Sequence, residues 1–173
     1  MLYTIAGHKV EIDFDAEMLA RLLPSFLPFR AESGVEGKLL FRLTVDNELK
    51  RIAEEDCRLI RDVDTGNGKT RVDKLKDGGY QFMVRDIYDR PCALLITSPR
   101  FDDCKVALRG GLGTQRFALN NALMLTYAFS AAYYDTLLIH ASVVRHNGKA
   151  YAFTAKSGTG KSTHVANWMR YIE

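Results

Sequence analysis

The chain has 173 residues, 24 basic and 21 acidic side chains, a formal net charge of +3 and 47% hydrophobic residues. That length and apolar content suffice for a sizeable buried core, and the charges are mixed along the chain without the blocks of nucleic-acid-binding arms, so no nucleic-acid partner is expected. Three widely spaced cysteines, Cys57, Cys92 and Cys104, match neither a disulfide framework nor a zinc site and read as reduced thiols of a cytoplasmic protein.

The opening MLYTIAGHKVEIDF has no basic start followed by a long apolar run, so no secretory signal is expected. Leu2 to Ala6 and Lys9 to Phe14 read as strands around Gly7-His8. Ala16 to Phe26 reads as a helix with Leu19, Leu22, Leu23 and Phe26 on one face, closed by Pro24 and Pro28. Further strands are expected at Lys38 to Val45, Cys57 to Val63, Thr70 to Lys74, Tyr80 to Ile87, Ala93 to Thr97 and Lys105 to Leu108. Asn67-Gly68 and Asp77-Gly78-Gly79 are hairpin turn signals, because their residues tolerate positive φ. Residues 1–113 therefore read as a strand-rich region built on an antiparallel sheet.

A long helix follows, Gln115 to Tyr134, with apolar residues nearly all round it, which implies central burial. Its Asn120, Asn121, Thr126 and Ser130 argue against a membrane span. Two strands, Thr136 to Arg145 and Lys149 to Thr154, meet at Asn147-Gly148, and a last helix starts near Lys161. Residues 114–173 read as helix, hairpin and the start of a nucleotide-binding domain, one continuous globular unit with residues 1–113. The fold class expected is α/β with α+β character: an antiparallel-rich sheet, a buried long helix, then a β-hairpin leading into a phosphate-binding loop and helix.

That loop is Ala155-Lys156-Ser157-Gly158-Thr159-Gly160-Lys161-Ser162-Thr163, a P-loop pattern with alanine in its first position, between a short apolar strand and an amphipathic helix. Small residues at Gly158 and Gly160 let backbone N–H groups turn inward around an anion at the positive helix end. Lys161 then reaches the β- and γ-phosphates, Ser162 ligates Mg2+, and Thr163 offers a hydroxyl to a nearer phosphate. The expected cofactors are ATP, or another nucleoside triphosphate, and Mg2+. The bland alternative is a glycine turn that happens to precede a helix.

If Asn147-Gly148 is a two-residue turn, Arg145 pairs with Ala150 and a continuing ladder sets His140 opposite Ala155. An imidazole there can orient phosphate or move a proton; equally, it can be an ordinary strand histidine. His8, His146 and His164 read as surface or turn residues, with His164 near the helix start.

The run Leu138-Ile139-His140-Ala141-Ser142, the hairpin through Gly148-Lys149-Ala150, and Ser157-Gly158-Thr159-Gly160-Lys161-Ser162 resemble the start of the catalytic domain of HPr kinase/phosphorylases, a family similar in fold to the phosphoenolpyruvate carboxykinases. The resemblance spans about residues 137 to 168. It implies a phosphoenolpyruvate carboxykinase-like fold, His140 and Lys161 as catalytic residues, Ser162 as metal ligand, and ATP-dependent phosphorylation of a serine or other hydroxyl, a protein substrate included. Lys156 stands where that family usually has an acidic residue, and Thr163 where it has glutamate.

The family's catalytic aspartates and metal-binding carboxylates lie beyond the helix that follows the loop. Residues 1–173 therefore read as the first part of a longer kinase, inactive alone, with a catalytically incomplete nucleotide-binding or protein-interaction module as the alternative. Asp86, Asp89, Asp102, Asp103 and Asp135 read as turn and strand-end residues. A terminal helix lacking its cover would expose Val165, Trp168, Met169 and Ile172 and favour self-association.

Overall fold

The computed structural model describes residues 1–31, 38–64, 68–156 and 158–172. The first strands, β1 (Leu2–Ile5) and β2 (His8–Asp13), form an antiparallel hairpin through Ala6 and Gly7, both at positive φ. Asp15 then caps α1 (Ala16–Leu22) by accepting the Met18 N–H at 2.8 Å. This helix stops short of the expected Phe26. Pro24 lacks an N–H and biases Leu23 out of the helical region, to φ −126° and ψ 53°, and a 3-10 turn over Pro24–Phe29 takes its place.

The chain continues through β3 (Leu39–Val45), β4 (Cys57–Asp64), β5 (Lys69–Leu75), β6 (Tyr80–Arg85), β7 (Pro91–Thr97) and β8 (Asp103–Leu108). These strands build an eight-stranded sheet in the order β1-β2-β3-β8-β7-β6-β5-β4. It is mostly antiparallel, as strands linked by short turns must be, but β3 runs parallel to both neighbours, β2 and β8. The first parallel pair follows from the crossover through α1, and the second from a meander, β4 to β8, that returns to β3. At the β5–β6 turn Gly78 has φ 90° and the Gly79 N–H donates to Asp77 Oδ1 at 2.7 Å. Asn67, of the expected Asn67-Gly68 turn, lies outside the described residues; the flanking strands pair from Asp64↔Lys69 onward.

The long helix α2 (Leu112–Ala132) lies across β3, β8 and β7. Ala118, Leu119, Ala122 and Leu123 are buried in a core shared with Leu43, Leu95 and Val106. The Ser130 hydroxyl donates to the Leu40 carbonyl at 3.1 Å and the Tyr127 hydroxyl to the Ile5 carbonyl at 3.0 Å, tying the helix to β3 and β1. Central burial on all sides does not hold: Met124 and Phe129 are 49% and 46% exposed, because one sheet covers one face only. No helix among the described residues is long and apolar enough to cross a membrane.

The contacts divide the chain into two compact units, Met1–Thr136 and Leu137–Glu173, rather than at residues 113 and 114, since α2 packs on the sheet. Thr136 closes the first unit instead of opening a strand: its N–H donates to the Ala131 carbonyl at 3.2 Å and its hydroxyl is hydrogen-bonded to the His8 ring at 2.9 Å. The second unit comprises β9 (Ser142–His146), β10 (Lys149–Phe153) and α3 (Lys161–Tyr171). Asn147 at φ 48° and Gly148 at φ 73° form the two-residue turn between its strands.

Candidate functional site

In the second unit β10 carries the chain out of the hairpin at Phe153, and Thr154, Ala155 and Lys156 leave the ladder. Gly158 at φ 82° and Gly160 at φ 85° then reverse it, a region that a side chain would strain. Gly160 caps α3, which starts at Lys161, and the first helical hydrogen bond runs from the His164 N–H to the Gly160 carbonyl at 2.8 Å. Among the described residues no side chain caps this helix start. Its first-turn amides face outward with the positive end of the helix dipole.

The loop closes on one carbonyl. Lys156 O accepts from the Thr159 hydroxyl at 2.7 Å, from the Thr159 N–H at 3.4 Å and from Lys161 Nζ at 3.3 Å, and the same ammonium donates to Ala155 O at 2.8 Å. Lys161 thus folds back across the loop from the first residue of the helix. Ser162 and Thr163 are exposed in the first turn, and Ser162 Oγ lies 3.4 Å from Ser142 Oγ on β9. Ser157 lies outside the described residues.

His140 does not join this arrangement through the sheet. Arg145 does pair with Ala150, but the ladder ends at Ser142↔Phe153, two pairs before His140 and Ala155 would meet. The reason is that Thr154 turns away toward the loop, leaving residues 137–141 without a strand to pair with. His140 is exposed.

Aromatic contacts hold α3 on the hairpin. Trp168 lies 5.1 Å from Tyr151 and 5.5 Å from Phe153 between ring centroids, and His164 meets Phe153 edge-on at 4.5 Å. Val165 and Trp168 are accordingly half-buried rather than exposed, whereas Met169 and Ile172 remain 73% and 49% exposed.

Charge is one-sided in this unit. Residues 137–173 hold Arg145, Lys149, Lys156, Lys161 and Arg170 against one acidic side chain, that of Glu173. That balance, with the helix dipole, favours a polyanion. The hydroxyls that the described loop residues and β9 offer a hard cation are those of Ser142, Thr159, Ser162 and Thr163. Asp86 and Asp102 serve their own turns: Asp86 accepts from Arg90 Nη2 at 2.7 Å, and Asp102 hydrogen-bonds the Ser98 hydroxyl at 2.5 Å.

Sequence reasoning gave no separate weight to Ser142. Its signal is the register, since the turn at Asn147-Gly148 sets Ser142 opposite Phe153, the last strand residue before the loop. Comparison of the chain with family models, curated proteins and solved structures finds no match.

Proposed function

We propose that residues 155–163 bind the polyphosphate of a nucleoside triphosphate, ATP with Mg2+. The observation that carries this reading is the start of α3 at Lys161, uncapped by any described side chain, behind two positive-φ glycines, with the Lys161 ammonium turned back over the loop. Nucleotide phosphates would draw Lys161 Nζ from the Ala155 carbonyl onto the β- and γ-phosphates, while the first-turn N–H groups surround the same oxygens. Ser162 would supply a hydroxyl to Mg2+, and Thr163 one to the nearer phosphate.

On this reading the chain is the nucleotide-binding part of a cytoplasmic, ATP-dependent phosphotransferase of the HPr kinase type, with a phosphoenolpyruvate carboxykinase-like fold. Its acceptor is a hydroxyl, on a protein substrate by the same resemblance. His140 enters by resemblance alone, as an active-site residue outside the ladder. The apolar side chains of Met169 and Ile172 support self-association through α3.

One observation favours the second reading, a binding module that does not transfer phosphate. Transfer needs a positioned base and metal-binding carboxylates, and the sequence of residues 137–173 has one acidic side chain, that of Glu173.

The two readings separate in one series of measurements. Mg-ATP raises the melting temperature of the chain and Lys161→Ala removes the rise; the absence of any shift with any nucleotide removes both readings. Transfer of labelled phosphate from ATP to a hydroxyl acceptor then establishes the kinase, and binding without transfer establishes the module.

A further inference from the structure

The first unit holds a cavity of about 550 Å³ that owes nothing to the phosphate-binding loop. It arises from a mismatch of widths. Eight strands span about 34 Å at roughly 4.8 Å per neighbour, while α2 contacts β3, β8 and β7, so the sheet runs on beyond its helix. Between the flank of α2 and strands β4 to β6 the space is walled by Val72, Phe82, Phe101, Met124 and Phe129. Three rings run nearly parallel along it: Tyr80 on Phe101 at 5.2 Å and 24°, then Phe101 on Phe129 at 4.9 Å and 22°.

Among the described residues one charged side chain lines this apolar space, that of Arg61. Its position depends on a β-bulge. The register of β4 against β5 shifts between Leu59↔Asp73 and Arg61↔Val72, with Ile60 as the extra residue. In a regular ladder Ile60 would oppose Val72, and Arg61 would point to the other face of the sheet. The bulge therefore turns a guanidinium to the cavity side, where it has no ion-pair partner among the described residues.

We propose that this cavity binds a flat, apolar small molecule carrying one anionic group, of the aryl carboxylate class. Its ring system lies against Phe129, the outer ring of the stack, and its carboxylate accepts from Arg61. The volume falls in the range of small-molecule pockets, about 300–1,000 Å³. The parallel rings favour a flat partner, and a lone guanidinium pairs best with a planar carboxylate.

The test uses the full chain and 8-anilinonaphthalene-1-sulfonate, an aromatic anion whose emission rises in apolar sites, with 2-naphthoate as competitor. The expected result is saturable binding of one probe per folded chain, displaced by 2-naphthoate. Arg61→Gln should weaken both ligands roughly tenfold, the worth of one charge-assisted hydrogen bond, and Arg61→Lys should restore part of the loss. Ala132→Trp, a substitution at an exposed helix position lining the cavity, should abolish binding without lowering the melting temperature. Lys161→Ala should leave it unchanged, which keeps this site separate from the nucleotide reading. Non-saturable binding, or equal affinity in Arg61→Gln and Ala132→Trp, overturns the proposal. A dimer that excludes the probe, seen by sedimentation, overturns it in favour of a second copy of the chain.

Discussion

The hydroxyl oxygens of Ser142 and Ser162 stand 3.4 Å apart, joining the last pair of the β9–β10 ladder to the first turn of α3. In the nucleotide reading Ser162 meets Mg2+ and Ser142 only steadies it. Ser162→Ala should therefore cost about tenfold in ATP affinity with Mg2+ present and little with Mg2+ withheld, whereas Ser142→Ala should cost roughly threefold, the scale of one neutral hydrogen bond. The chain's single tryptophan, Trp168, offers the readout, since it sits on the same helix, 6.2 Å from His164 between ring centroids. Equal losses with and without Mg2+ would show that Ser162 does not meet the metal.

One-sided burial of α2 makes a sharp contrast between two of its residues. Leu119 is fully buried in the core, and Met124 is 49% exposed. Leu119→Ala should lower the unfolding free energy by about 2–5 kcal/mol, and Met124→Ala by less than about 1 kcal/mol. Urea unfolding followed by circular dichroism measures both. Similar losses at the two positions would mean that the outer flank of α2 is covered in solution.

What could be read in advance divides along the range of the interactions involved. The hairpin at Gly7-His8, the Asn147-Gly148 turn and the helix start at Lys161 are local, set by φ preferences and side-chain period, and the structure has them at or near the expected residues. The parallel neighbours of β3 were not readable, because strand order is decided by which distant segments bury one another's faces. His140 shows the same limit at the candidate site. The register was right at Arg145↔Ala150, but where the ladder stops depends on Thr154 leaving it for the loop. The bulge at Ile60 is likewise a property of the β4–β5 pairing, invisible in either strand alone.

Thiol reactivity should follow burial. Cys92 and Cys104 are 0% and 1% exposed, and loss of solvation pushes their thiols up to about 11 and about 12. Cys57 is only partly buried, with its thiol donating to the Ala53 carbonyl at 3.3 Å. A disulfide reagent such as DTNB at pH 8 should modify one thiol of the folded chain, that of Cys57, and three in denaturant. Cys57→Ser should remove the native reaction. Fast modification of a second thiol would show that the core around β7 and β8 opens readily.

Acid should weaken the β6–β7 turn through Asp86. The Arg90 guanidinium hydrogen-bonds its carboxylate, and with the N–H groups of Tyr88 and Arg90 it holds the Asp86 carboxyl below the usual carboxylate range despite the opposing effect of desolvation. A pKa lowered on folding contributes stability above the unfolded value and loses it as pH falls through the folded one. Asp86→Asn keeps an acceptor for the two N–H groups but removes the charge facing Arg90. The variant should therefore melt below the parent at pH 7, with a gap that narrows once the pH drops beneath the ordinary carboxylate range. Melting curves at pH 7, 5 and 3 decide the matter. A gap of constant size across that range would assign the stabilisation to the shape of the turn and not to the ionised carboxylate.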